Sequence, residues 1–405
     1  MRYQSYLNTA KEIITSYDGS EPLSSFLKKK FAANKKYGST DRKQIAALCY
    51  AYYRLGMALQ HIPAGDRILT GFFLCENLPS EFLQSMKPEW NELVTLSLSQ
   101  KADLLHLPLQ DIFPFEEELS QGMDHSGFCV SFLRQPDLYL RIRPGKEEFV
   151  TRKLREGKIG FEMRGEHTIA LPNSTKLENL IVPDRDAVVQ DLNSQRVLDY
   201  AASYKGQTTN HQPRPTRSAG RAPTTNHQLP LSVWDCCAAS GGKSILAYDL
   251  FRGHIELTVS DIRETIMHNL NQRFQRAGIS LYRSMIADLT DSGFTNPDPC
   301  YQLIICDAPC TGSGTWSRTP EQLCFFTKEM IRDHSQRQMK IVSNAVRYLK
   351  DGGMFIYITC SVFKQENERV AQYIQKEFHL RLLKMDLLIG YDKQADTMFT
   401  AIFIK

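Results

Sequence analysis

The chain has no C-x-x-C pair, no apolar run of membrane-spanning length and only a mild net charge. Each of these narrows the reading. Without paired C-x-x-C spacings, the ten cysteines, among them the adjacent Cys236-Cys237, do not read as a zinc site. A disulfide framework suits much shorter secreted chains. The opening Met1-Arg2-Tyr3-Gln4-Ser5 lacks an apolar signal core, so the expectation is a soluble protein of a reducing cytoplasm, with no membrane partner. Basic residues number 49 and acidic residues 45, a formal charge of +4, so affinity for a polyanion has to come from local clustering. At 405 residues and 42% hydrophobic content there is room for two or three domains with buried cores.

Clustering is found near the N-terminus. Phe26 to Phe31 carries Lys28, Lys29 and Lys30, followed by Lys35, Lys36 and Tyr37, then Arg42 and Lys43. Such a cluster suits a solvated helix face, and it also suits a surface that tracks a phosphate backbone. After the start signal Gly38-Ser39-Thr40-Asp41, apolar residues Ile45, Leu48, Cys49, Tyr52 and Leu55 recur at helical spacing. Residues 1–125 are therefore expected to form a helical domain. Residues 126–195 read as a small α+β module, with strand-like runs at Phe128–Phe132 and Leu138–Arg143 around a helix beginning near Lys146. Residues 205–229 are polar and repeat Thr-Thr-Asn-His-Gln at 208–212 and 224–228, which predicts a flexible insertion.

From 230 to 405 the pattern turns to strand–turn–helix. Candidate strands are Ser232–Asp235, Ile255–Ser260, Arg283–Ala287, Gln302–Cys306 and Met354–Thr359, with helices from Lys243, Thr265, Lys328 and Gln365. This alternation predicts an α/β, Rossmann-like domain with a mostly parallel sheet and helices on both faces. The first turn, Cys237-Ala238-Ala239-Ser240-Gly241-Gly242-Lys243, is built of small residues, which let a ligand approach the backbone at a helix N-terminus. Gly242-Lys243-Ser244 imitates the end of a phosphate-binding loop. The full pattern needs glycine where Cys237 stands, so a nucleotide triphosphatase is not supported. Asp261 ends the second strand, where a carboxylate accepts ribose hydroxyls, and Asp288 ends the third, placed for an adenine amine. A single such residue reads as a helix cap; three strand-end carboxylates, counting Asp235, read as a nucleoside site.

Two cysteine segments complete the pattern: Cys306-Asp307-Ala308-Pro309-Cys310-Thr311-Gly312-Ser313-Gly314 and Thr359-Cys360-Ser361. With Asp235–Lys243, Arg318-Thr319-Pro320, Glu366-Asn367-Glu368, Gly390-Tyr391 and Ala395-Asp396, they resemble the Sun/Fmu family of RNA cytosine-5 methyltransferases. Ser240 stands where that family's D-x-C-A-A-P-G-G-K signature has proline, and Thr311 where D-A-P-C-S-G-x-G has serine. The N-terminal third resembles the all-α NusB-like domain of the 16S rRNA-modifying members.

The resemblance implies S-adenosyl-L-methionine as cofactor, held at 237–243, Asp261, Asp288 and Asp307, a seven-stranded sheet, RNA (16S rRNA) as partner, no metal, and a monomer. It implies that Cys360 adds to cytosine C6, that Asp307 hydrogen-bonds the base, and that Cys310 assists removal of the C5 proton. From the residues alone the two thiols are not ranked, since Pro309-Cys310 also resembles the nucleophile motif of DNA cytosine-5 methyltransferases. Lys243 is placed to lower a thiol pKa or meet the cofactor carboxylate. Lys28, Lys29, Lys35, Lys36, Arg42, Lys43 and Arg318 are the expected RNA contacts. Trp316 reads either as a stacking platform for a flipped base or as a core aromatic. Cys236, Cys306 and Cys324 read as packing residues, and His334 and Arg337 as facing solvent or phosphate. The competing readings are a non-catalytic RNA-binding assembly factor, which fails to bind cofactor, and a tRNA or DNA methyltransferase, which differs in the nucleic acid it accepts.

Overall fold

A computed structural model describes residues 2–34, 36–203, 229–297 and 300–405. Lys35 and all but the last residue of the 205–229 stretch lie outside the described residues.

The N-terminal region is helical: α1 (Arg2–Ser16), α2 (Leu23–Ala33), α3 (Ser39–Arg54), α4 (Ala64–Cys75), α5 (Glu81–Met86), α6 (Pro88–Glu92) and α7 (Leu98–Leu104). In α1, Tyr6, Leu7, Ala10, Ile13 and Ile14 are buried, the one-faced stripe of an amphipathic helix. The start of α3 is fixed by the Asp41 carboxylate, which accepts the Gly38 N–H at 2.8 Å. Gly71 lets α4 press onto α3, since a Cβ there would lie 2.0 Å from the Ala51 carbonyl oxygen. Leu23, Leu27, Ile45, Leu48, Phe72 and Phe73 fill the resulting core.

A second core ties these helices to the C-terminal domain. Leu55, Phe113, Phe128 and Phe132 pack with Trp316, Leu323, Phe326 and Phe363, and the Phe326 and Phe363 rings stack at 5.2 Å. Arg54 is buried here and donates to the carbonyl oxygens of Phe132 and Ser317. The run Phe128–Phe132 is not a strand. It lies in and just after α8 (His125–Ser131), because the Asp124 side chain caps the N–H groups of Ser126 and Gly127. Phe128, Cys129 and Phe132 then fall on one helical face and are buried together.

The small module is an antiparallel sheet in the order β2-β3-β1-β4, from β1 (Leu138–Ile142), β2 (Glu162–Met163), β3 (Thr168–Leu171) and β4 (Ala187–Val189). Helix α9 (Glu147–Glu156) covers it through Val150 and Leu154. Arg141 and Arg143 of this module both reach Asp249 on α10 (Gly242–Leu250) of the next domain.

The C-terminal domain is built on β5 (Leu231–Asp235), β6 (Ile255–Asp261), β7 (Tyr282–Ile286), β8 (Tyr301–Asp307), β9 (Leu349–Thr359), β10 (Arg381–Leu388) and β11 (Met398–Ile404). Their order is β10-β11-β9-β8-β5-β6-β7, parallel from β9 through β7 and antiparallel at the other edge. Leu303 to Ile305 and Phe355 to Ile358 are wholly buried, as expected of central strands covered on both faces. Helices α11 (Glu264–Ala277), α12 (Glu321–Cys324), α13 (Lys328–Val346) and α14 (Glu368–Glu377) complete the domain. Strand order reverses between β5 and β8, which opens a crevice at their carboxyl ends. Among the described residues no helix is long and apolar enough to cross a membrane.

Candidate active site

A cleft of about 410 Å³ lies at that switch point, and the carboxyl ends of β5, β6, β8 and β9 all reach it. Cys237, Ala239, Asp261, Asp288, Asp307, Cys310 and Cys360 border it. Residues from two separate sequence motifs, one nucleoside-like and one thiol-bearing, therefore share one cavity.

At one end, the loop after β5 shapes the wall. Gly241 has φ +83°, and a Cβ there would meet the Phe274 ring at 2.7 Å, so both backbone and packing demand glycine. Ala239 also sits at positive φ, +46°, and donates its N–H to Asp261 Oδ2 at 3.0 Å. This strain is held by a hydrogen bond to a cleft carboxylate. Ser240 does more than replace a proline. Its carbonyl and hydroxyl oxygens accept from Arg273, whose other nitrogens hold Asp184 of the small module. Of the signature loop, Cys237 and Ala239 border the cleft, and Ala238, Ser240, Gly241, Gly242 and Lys243 are not among the residues lining it. Burial works against the charged form of Asp261, but hydrogen bonds from Arg263 and Ala239 outweigh it and hold the carboxyl below its usual range. Asp288 is likewise held low, by the side chain and N–H of Thr290.

Asp235 is fully buried beneath the loop. Ser244 donates to its Oδ2 at 2.6 Å, while Oδ1 has no hydrogen-bond partner. Burial pushes this carboxyl up to about 7.

At the other end, the Cys310 and Cys360 sulfurs are 3.3 Å apart. Lys243 Nζ lies 2.8 Å from Asp307 Oδ2. Burial disfavours the ammonium, but the charge and hydrogen bond of Asp307 outweigh it and raise its pKa, with Cys360 adding to the effect. Cys310 is pushed well above the usual thiol range by its hydrogen bond to Cys360, then by burial and by the negative charge of Cys360 and Glu366.

One carboxylate, to which the sequence motif alone assigned no role, holds the two cysteine loops together. Glu366 is wholly buried. Its Oε1 accepts the Thr311 N–H at 2.9 Å and Gln338 Nε2 at 3.1 Å; its Oε2 accepts the Thr311 hydroxyl at 2.6 Å and the Ser361 hydroxyl at 2.5 Å. Thr311 and Ser361 directly follow Cys310 and Cys360 in the chain. The neighbouring Asn367 accepts from Thr359 and donates to the Ser361 carbonyl. These partners explain why α14 begins at Glu368 and not at Gln365: residues 366 and 367 face the site. Gly314 is pinned beneath, its N–H on the Cys360 carbonyl, with no room for a Cβ against the Thr397 oxygen at 2.0 Å.

One RNA contact expected from the sequence, Arg318, is corrected. Of its two readings, Trp316 takes that of a core aromatic and not a base platform: it is 2% exposed and packs edge-on to Phe326 and Phe363. Arg318 is engaged within the protein and does not face RNA: it bonds Asp396 at 2.7 Å, Asp191 at 2.7 Å and the Asp137 carbonyl at 2.9 Å. A guanidinium fork matched on three sides by acceptors serves as the joint between the small module and the sheet. Lys28, Lys29, Lys36, Arg42 and Lys43 lie at the surface, with Lys29 paired to Glu21. Arg337 borders the cleft from α13, His334 is half-buried, and Cys324 donates to the Gly56 carbonyl.

Residues 223–399 match a family model described as 16S rRNA methyltransferase RsmB/F. Over 153 residues the chain is 26% identical to the ribosomal RNA small subunit methyltransferase F of Pectobacterium atrosepticum, covering 38% of this chain and 31% of that one. Over 157 residues it is 29% identical to the tRNA (cytosine(72)-C(5))-methyltransferase NSUN6 of Mus musculus, covering 36% and 32%. The chain thus spans about a third of the length of these curated relatives. The crystal structure of PH0851 superposes with a TM-score of 0.70 over 99% of this chain and 98% of that chain, at 17% identity, a likeness of fold.

Proposed function

We propose, on the match of residues 223–399 to the 16S rRNA methyltransferase RsmB/F model, that the protein transfers a methyl group from S-adenosylmethionine to C5 of a cytosine in RNA, with 16S rRNA as substrate. The observation that carries the proposal is the pair of sulfurs 3.3 Å apart on the same cleft as Asp261 and Asp288. The residues present fit the methyl donor: Asp261 is the acceptor for ribose hydroxyls, Asp288 the acceptor for an adenine amine, and Ala239 the close backbone approach. When bound, the donor supplies an electrophilic methyl group.

The chain's own groups supply the rest. Cys360, next to the Lys243 charge, is the nucleophile that adds to cytosine C6 and turns C5 into an enamine carbon. Asp307 hydrogen-bonds N3 and the exocyclic amine, where charge changes on addition, and Lys243 fixes its orientation. Cys310 is the base for the C5 proton. Its order of action follows from electrostatics. While Cys360 is free, its sulfur keeps Cys310 protonated. Once Cys360 is bonded to carbon that influence ends; Cys310 gives its own proton to solvent in the cleft, and the resulting thiolate takes the C5 proton as the C6–S bond breaks and Cys360 leaves. Lys28, Lys29, Lys36, Arg42 and Lys43 are proposed to hold RNA phosphates on the helical domain.

The test is transfer of labelled methyl from S-adenosylmethionine to unmodified 16S rRNA, with the site read by bisulfite sequencing. Labelled 5-methylcytosine in that RNA supports the proposal. Label that goes only to tRNA or duplex DNA, or to no nucleic acid, overturns it.

A further inference from the structure

We propose that Cys236, Cys237 and Cys306 form a binding site for trivalent arsenic. Cys236 and Cys237 follow β5, and Cys306 is the next-to-last residue of β8, the adjacent strand at the switch point. All three sulfurs lie within 4.8 Å of one another. Cys236 and Cys306 are buried; Cys237 borders the cleft, which gives a small neutral molecule its way in. None of the three is given a step in the methyl transfer; Cys237, which the family signature specifies, borders the methyl-donor cleft as part of that reading. Packing alone does not call for three thiols here. A pyramidal centre with sulfur bonds of ~2.3 Å holds its sulfurs ~3.5 Å apart, so closing the site needs a contraction of about 1.3 Å at most.

Charge selects the occupant. Asp235, Asp261 and Asp307 surround the cluster, and Lys243 is paired to Asp307. Three thiolates around a monovalent or divalent cation leave net negative charge buried beside those carboxylates, which is costly. Trivalent arsenic leaves none. Arsenous acid, As(OH)₃, reacts with three S–H groups: three As–S bonds form, three As–O bonds break, the thiol protons leave with the hydroxyls as three waters, and no electrons move. The product is neutral. The arsenic site stands apart from the methyl-donor reading of the cleft, because it needs only the sulfurs.

The experiment is arsenic X-ray absorption on the full-length protein loaded with arsenous acid and desalted, with the mass of the same sample measured intact. One arsenic per chain bound by three sulfurs, in place of three hydrogens, is the expected result. The Cys310→Ser/Cys360→Ser double variant keeps it, and Cys237→Ser, at the cleft margin, loses the three-sulfur signature; Cys306→Ala does the same where it folds. A two-sulfur signal, no retained arsenic, or loss of the signal in the Cys310→Ser/Cys360→Ser variant overturns the proposal.

Discussion

The Cys310 sulfur lies 3.3 Å from the Cys360 sulfur, although fifty residues separate them in sequence. The pairing of β8 with β9 brings the two loops side by side, and the buried Glu366 carboxylate locks them there. At that separation the protonation of Cys310 depends on the state of Cys360.

Lys243→Met removes the cation that Asp307 holds beside the thiols. Single-turnover methylation should slow about 10²–10³-fold, the size of effect seen when one preorganised electrostatic group is removed. RNA affinity in a filter-binding assay should be unchanged, because the Lys243 ammonium is paired to Asp307 within the protein.

Glu366→Gln keeps the shape but turns an amide donor toward groups that are themselves donors: the Thr311 N–H, the Gln338 amide, and the Thr311 and Ser361 hydroxyls. The expected cost is roughly 1–3 kcal/mol of stability. A thermal melt reads that loss, and single-turnover kinetics should show a fall in kcat with little change in KM for the methyl donor. Equal loss in both constants would mean that the residue supports the cleft generally.

Asp235 predicts a pH dependence of stability. Its carboxyl is pushed from 3.8 up to about 7 by burial, so the folded state binds the proton more tightly than the unfolded state. Its stabilising contribution is complete below about pH 4 and is lost as pH rises to 7. Three pKa units correspond to roughly 4 kcal/mol. Asp235→Asn, which stays neutral throughout, should lose less stability than the wild type between pH 4 and pH 7 in denaturant melts. Parallel curves would contradict the assignment.

Lys28→Ala/Lys29→Ala and Arg318→Ala separate RNA contact from internal structure. The first pair should reduce the slope of log affinity against log salt by about 0.7 per lysine that meets a single-strand phosphate, with the melting temperature kept. Arg318→Ala should leave the slope unchanged and lower the melting temperature, since its partners are Asp191, Asp396 and the Asp137 carbonyl.

Much of this site was legible in the sequence, and the failures have physical causes. Apolar runs such as Leu303–Ile305 marked the central strands because burial on both faces leaves no polar residue in them. Strand β10 was missed because it is an edge strand, and Lys384 and Asp386 break its pattern. Phe128–Phe132 misled because a short apolar run has no period of its own; the Asp124 cap decided it. Glu366 stood in a recognised motif, but four donors converging on its carboxylate are a tertiary fact. The sequence neighbours of Arg318 point it to RNA and leave Trp316 open between platform and core, because their partners Asp191, Asp396 and Phe326 are set by tertiary packing.

The most direct test of the central claim is covalent trapping, read as a slow-migrating protein–RNA band on a denaturing gel with S-adenosylmethionine and unmodified 16S rRNA. If Cys360 attacks and Cys310 is needed for release, Cys310→Ser accumulates the band, and Cys360→Ser and the double variant show none. A band that builds up in Cys360→Ser and is absent from Cys310→Ser would contradict the account.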